Sequence, residues 1–179
     1  MQSVYKFPLA MAVLDQVDKG KLSLDQKIFV AKKDLLPETW SPLREKYPAG
    51  EVEIPLAEIL VYTIAQSDNN GCDILFRLLG GTANVQKYVR SLGIKEIAIA
   101  ATEEEMSKNR DVQFTNWCKP KAMLKLLEIM NRGDKLSKSS SDFLWKTMLE
   151  TSTGPNRIKG FLPKETRVAH KTGTSGTDK

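Results

Sequence analysis

Gln2-Ser3-Val4-Tyr5-Lys6-Phe7 opens the first helical pattern of the chain. From Phe7, the apolar residues Ala10, Met11, Leu14 and Val17 follow at helical spacing, and the pattern stops at Lys19-Gly20, so a helix is predicted to begin in this run. Residues three apart share a helix face, which makes the Ser3 hydroxyl and the Lys6 amine neighbours. A serine becomes a nucleophile only with a base in hydrogen-bond reach. The first turn of a helix adds free backbone N–H groups and a positive dipole end, both suited to a developing oxyanion. A capping serine followed by a solvated lysine explains the same tetrad without chemistry, and the tetrad alone does not choose between them.

Length and composition narrow the field. A chain of 179 residues, 41% hydrophobic and 27% charged, fits one domain with a proper core or a piece of a larger one. No apolar run is long enough for a transmembrane helix, and position 1 leads into the helix with no signal peptide visible. The 27 basic residues exceed the 22 acidic ones, with the densest spots at Lys32-Lys33 and Lys119/Lys121. No Arg-rich stripe or nucleic-acid motif accompanies them, so the surplus reads as solubility, with some attraction for small anions. Two cysteines, Cys72 and Cys118, define no disulfide framework and read as buried thiols. With His170 as the one histidine, a zinc site would need almost every His and Cys in the chain, so neither metal nor cofactor is expected. Serine chemistry would have to draw on lysine or carboxylate bases.

Further along, Lys21 to Val30 alternates polar and apolar and reads as an extended connector. Asp34 to Tyr47, with Pro37 and Pro42, reads mostly as loop. Trp40 inside it fits either core packing or the wall of a cleft. Pro55 is placed to start a helix carrying Leu56, Ile59, Leu60 and Ile64. That helix breaks at Gln66-Ser67-Asp68-Asn69-Asn70-Gly71. A second runs to Gly80-Gly81, and a third from a Thr82 cap to Gly93. Thr102 to Asp111 shows no amphipathic period, so a long surface loop is expected up to Trp117. Pro120 starts a helix ending at Arg132-Gly133, and Ser141-Asp142 is expected to cap another. Thr153-Gly154-Pro155 interrupts before a short amphipathic piece, and Arg167-Val168-Ala169-His170 reads as a strand. About six or seven helices and one strand result, and one strand cannot make a sheet.

Ser3-x-x-Lys6, Ser67-Asp68-Asn69 and Lys171-Thr172-Gly173 follow one another with separations of 64 (67 − 3) and 104 (171 − 67) positions. Each falls where its chemistry demands, at a helix start, an interhelical turn and a strand end. With Phe114-x-Asn116-Trp117, Thr153-Gly154-Pro155 and His170-Lys171-Thr172-Gly173-Thr174-Ser175-Gly176, the sequence resembles the class A serine β-lactamases, which share this trio with penicillin-binding proteins. It looks closest to the extended-spectrum and Bacteroidetes-type branch, over essentially the whole chain. The resemblance implies an α/β (α+β) serine β-lactamase/penicillin-binding-protein-like fold. Residues 1–155 would form the helical subdomain, and residues 156–179 the start of the sheet subdomain carrying Lys-Thr-Gly.

The same resemblance implies roles. Ser3 would attack the β-lactam carbonyl, and its own N–H with that of Thr174 would hold the oxyanion. Lys6 could act as base only if nearly neutral, with Lys171 the neighbouring cation, and the resemblance leaves open whether it or a carboxylate takes the first proton. Ser67 would pass a proton to the departing nitrogen. Asn69 would hold the substrate's side-chain amide, and Lys171, Thr172, Gly173 and Thr174 its carboxylate, with Arg157 as a further candidate and Trp40 beside the site. Glu103, in the acidic run Glu103-Glu104-Glu105, would activate the deacylating water. A β-lactam would be the partner, with no nucleic acid or membrane, acting in the periplasm or outside the cell on a monomer.

Two departures stand out. Many relatives carry an arginine two places before this glutamate and an asparagine four places after, where this chain has Ala101 and Ser107. The usual salt bridge that anchors the loop is therefore not expected. The family's strands before the nucleophile helix and after Lys-Thr-Gly have no counterpart either, which implies a gene fragment, aggregation-prone and nearly inactive alone. A D-Ala-D-Ala peptidase that releases penicillin slowly, and a catalytically dead helical fragment, are the alternatives.

Overall fold

Lys6 to Leu14 is buried without a break in α1 (Lys6–Asp18), and a helix enclosed on every side serves as a pillar for others to pack on. A 3-10 turn, Gln2–Tyr5, leads into it. Pro8 falls in the first helical turn, where a missing N–H leaves no hydrogen bond unmade. The computed structural model describes residues 1–175.

The connector after α1 forms β1 (Lys27–Val30), and the stretch expected to be loop contains the short α2 (Pro42–Lys46), capped by Ser41. β2 (Val52–Pro55) pairs antiparallel with β1, Ile28 opposite Ile54. Next come α3 (Leu56–Ala65), α4 (Asn69–Leu78) and α5 (Thr82–Ser91), each packed against α1. β3 (Ile97–Ala98) and β4 (Trp117–Cys118) form a second small antiparallel pair around α6 (Glu103–Lys108). α7 (Pro120–Arg132) ends at a left-handed Gly133, as the sequence predicts, and α8 (Lys138–Leu149) returns against α1 and α3. No helix among the described residues is long and apolar enough to cross a membrane.

Several expectations change. Residues 102–111 are not loop throughout: Thr102 accepts from the Glu105 N–H while the Glu105 carboxylate accepts from the Thr102 N–H, a reciprocal cap that starts α6, and a 3-10 turn follows at Arg110–Thr115. Gly81, not Thr82, caps α5, and Thr82 donates instead to the Ala100 carbonyl. Ser137, not Ser141, caps α8, accepting from the Ser140 N–H. Arg167 to His170 is extended without a ladder. Its ties run to the Met148 carbonyl and the Thr151 hydroxyl, because among the described residues no strand lies alongside to pair with it. The piece after Pro155 is a 3-10 turn, Ile158–Phe161, that buries none of its residues. Cys72 is buried, but Cys118 is only half-buried, and both thiols are free.

The end of α1 is locked to α8 through Asp18, whose carboxylate accepts from the Ser137 N–H at 2.7 Å and from the Ser137 and Ser140 hydroxyls, each at 2.6 Å. Asp18→Ala in the full-length protein is expected to lower stability by about 1 kcal/mol, the usual scale for losing a helix cap, read from the denaturant midpoint. An unchanged midpoint would show the lock to be redundant.

Candidate active site

Lys6 is fully buried, and its ammonium finds three acceptors: the Ser67 carbonyl at 2.8 Å, Asn69 Oδ1 at 2.5 Å and Glu103 Oε1 at 3.0 Å. Ser3 Oγ lies 3.5 Å from the same Glu103 oxygen. Serine and lysine therefore meet on one carboxylate, and the capping alternative fails, since the turn at Gln2–Tyr5 has no side-chain cap. Lys6 Nζ is taken up by these three acceptors, and Glu103 Oε1 is also the oxygen within reach of Ser3 Oγ.

The Ser67 turn supplies the opposite wall. Ser67 sits at φ +60°, a left-handed conformation that costs a non-glycine residue about 1–3 kcal/mol and must be imposed by its surroundings. Asp68 imposes it. Its buried carboxylate accepts from the Ser41 hydroxyl, the Leu43 N–H and the Gly71 N–H, and the same burial raises its pKa. A Cβ on Gly71 would sit 2.8 Å from the Thr63 hydroxyl oxygen, so only glycine fits under this turn. Asp68 thus serves as the structural residue of the turn. Asn69 Nδ2 donates to Thr39 Oγ1 at 2.7 Å and Trp40 Nε1 to the Gln66 carbonyl at 2.8 Å. With its ring 57% exposed, Trp40 is a cleft wall and not core.

Lys171 closes the ring, donating to Ser67 Oγ at 2.8 Å. Burial, with the Lys6 charge second, brings its pKa down to about 7. Thr172 shares a hydroxyl contact of 2.6 Å with Thr153. Arg157, exposed, donates to the Gly173 carbonyl at 3.0 Å and to Thr174 Oγ1 at 2.9 Å. A Cβ on Gly173 would lie 3.0 Å from the Met1 carbonyl and 3.2 Å from Gln2 Cβ; glycine here lets the 171–174 segment abut the nucleophile turn. Gly176, the last residue of that motif, lies outside the described residues. Ser3, Trp40, Ser67, Asn69, Thr153, Thr172 and Thr174 line one cleft of about 260 Å³. A groove of about 620 Å³ between α1, α4 and α5 holds none of the motif residues, so chemistry and not size marks the site.

Two residues that hold the Glu103 segment, Asp73 and Asn116, and a third that ties to the nucleophile turn, Gln113, do not stand out in the sequence in these roles. Asp73 on α4 accepts from the Glu103 and Glu104 N–H groups, both at 2.8 Å, and burial lifts its pKa to about 6. Asn116 accepts from the Ala100 and Ala101 N–H groups and donates to the Ala101 carbonyl. Gln113 meets Gln2. With Ala101 in place of an arginine, these amide-directed bonds take over the anchoring that a salt bridge would have given.

The beta-lactamase enzyme family model matches residues 1–179. The chain belongs to that family. Among the family's curated proteins, Beta-lactamase VEB-1 from Pseudomonas aeruginosa is 54% identical over 178 residues, covering 98% of this chain and 59% of the relative. A beta-lactamase structure from Chitinophaga pinensis is 60% identical with a TM-score of 0.98, over 99% of this chain and 66% of that one. A representative class A beta-lactamase from Bacteroides cellulosilyticus is 45% identical with a TM-score of 0.95, over 99% and 64%. The class A family and fold expected from the three motifs are thus borne out, and this beta-lactamase chain spans less than two thirds of the length of these relatives.

Lys171 is a lysine that burial draws toward neutrality. Its folded pKa of about 7 lies below the 10.5 of an unburied lysine, so below pH 7 both folded and unfolded states carry the proton and stability does not vary through this group. Between pH 7 and 10.5 only the unfolded state holds it, and the Lys171 contribution rises with pH. NMR of the Lys171 13Cε is expected to titrate with a midpoint near 7; a midpoint near 10.5 would contradict the burial seen here.

Proposed function

We propose that the full-length protein hydrolyses β-lactam antibiotics through an acyl-enzyme on Ser3. The observation that carries this is Glu103 Oε1, 3.5 Å from Ser3 Oγ and 3.0 Å from Lys6 Nζ. A carboxylate so placed can take the Ser3 proton as the hydroxyl attacks the lactam carbonyl, and later activate water against the ester. The Lys6 ammonium beside it stabilises the negative charge that develops nearby.

The Ser3 and Thr174 N–H groups hold the oxyanion, where losing one such donor costs about 2.7–4 kcal/mol in comparable enzymes. As the C–N bond breaks, Ser67 Oγ gives its proton to the lactam nitrogen and is resupplied along its 2.8 Å bond from Lys171. Lys171 regains a proton from solvent and Glu103 releases the one it took, so the carboxylate is ionised again before it activates water. Lys171, Thr172 and Thr174, braced by Arg157, receive the substrate carboxylate against the strand end at Gly173. Asn69 takes the side-chain amide and Trp40 flanks it. Residues 1–155 are read as the helical half of the site and residues 156–179, of which 176–179 lie outside the described residues, as the beginning of the sheet half. A periplasmic or secreted place of action, in keeping with the class A relatives, and a monomeric enzyme belong to the same reading. Nothing favours the peptidase alternative, which lacks a use for a carboxylate against the nucleophile.

Glu103→Gln keeps the shape and removes the base. In the full-length protein it is expected to slow turnover of a chromogenic cephalosporin by about 100-fold or more, the scale of general-base catalysis, and to leave a penicillin adduct visible by intact mass. Undiminished turnover without an adduct would overturn the assignment of Glu103.

A further inference from the structure

One side-chain oxygen bridges the two halves of the oxyanion hole without reaching the reacting atoms. Gln113 Oε1, in the 3-10 turn Arg110–Thr115, accepts from Gln2 Nε2 at 2.6 Å and from Ser175 Oγ at 3.4 Å. Gln2 directly precedes Ser3, and Ser175 directly follows Thr174. Gln2 also sits at φ +48°, in the left-handed region, which a glutamine occupies only when its surroundings hold it there. A 3-10 turn that begins at Gln2 leaves the Ser3 N–H without an acceptor inside the turn, so this donor faces the cleft only while Gln2 keeps its conformation. On the other side, Gly173 abuts Met1, Gln2 and Val4, so the spacing between the nucleophile turn and the strand end is fixed by contacts that Gln113 ties together from a third segment.

We propose that Gln113 is a positioning residue for the oxyanion hole, clamping Gln2 and Ser175 so that the Ser3 and Thr174 N–H groups converge on one point. The clamp rests on the proposed hydrolysis for its catalytic consequence and on the hydrogen bonds alone for its mechanical one. A positioning role predicts an effect on the tetrahedral state and little on the ground state, since the hole engages fully only when the carbonyl oxygen becomes an oxyanion. It also requires an acceptor at position 113, not merely bulk.

The test uses the full-length protein and two variants. Gln113→Met keeps length and loses the acceptor; Gln113→Glu keeps an acceptor for both donors. Gln113→Met is expected to lower kcat for a chromogenic cephalosporin by about tenfold or more, as small misplacements of catalytic groups do. It should weaken phenylboronic acid, whose Ser3 adduct is tetrahedral, by a similar factor. Gln113→Glu should restore most of both. Penicillin binding measured in a Ser3→Gly background should be the same with and without Gln113→Met. Unchanged kcat and boronate affinity in Gln113→Met would overturn the clamp, as would equal losses in both variants or an equal loss of ground-state binding. Were the unaltered protein to hydrolyse no β-lactam, the proposed function would fail by itself. The clamp would then be decided by amide exchange of residues 2–6, expected to quicken in Gln113→Met and overturning the proposal if unchanged.

Discussion

An ammonium removed from water must satisfy three N–H bonds or carry a large desolvation penalty, and the Lys6 ammonium meets that demand with acceptors from two other parts of the chain. The Ser67 carbonyl and Asn69 Oδ1 come from the turn before α4, and Glu103 Oε1 from the start of α6. Removing one partner of a buried ion pair typically costs about 3–5 kcal/mol, so the pairing constrains position as much as it stabilises. α1 supplies the fixed end: its buried stretch from Lys6 to Leu14 cannot move without opening the core. The two other segments are thereby referenced to the pillar, and the Ser3 hydroxyl, one turn earlier, shares that frame.

Each of those segments needs support from below, because neither conformation is intrinsically favoured. Ser67 is held left-handed by the Asp68 carboxylate and by the space that Gly71 leaves. Glu103 is held by Asp73, which accepts from its backbone N–H and that of Glu104, and by Asn116, which fixes the preceding residues. Both carboxylates have raised pKa values because they are buried, and the backbone amides they hold offset part of that rise. Lys171 shows the complementary effect, with burial and the Lys6 charge both working against its own proton. Positioning and electrostatics in this site are one arrangement.

Much of this was legible in the sequence, for a physical reason. A nucleophile, its neighbouring amine, a polar interhelical turn and a strand-end lysine demand particular residue types, so Ser3, Lys6, Ser67, Asn69 and Lys171 stand out even when far apart. The residues that hold them do not. Asp73 binds backbone amides, which any residue could present, and Gln113 bonds to a glutamine 111 positions away. The helix at Glu103 was readable from Thr102 and Glu105, whose three-residue offset is a capping signal, but the run of three glutamates obscured any amphipathic period. Arg167 to His170 has strand-like composition and no ladder, since strand character belongs to a pair and not to a segment.

If Lys6 is the common reference, removing its charge while keeping its bulk should loosen both distant segments together. Hydrogen exchange followed by mass spectrometry on full-length Lys6→Met measures this most directly. The account predicts that amides of residues 67–71 and 103–108 lose protection in concert, while those of α7 and α8 keep theirs. Unchanged protection in either segment would contradict it.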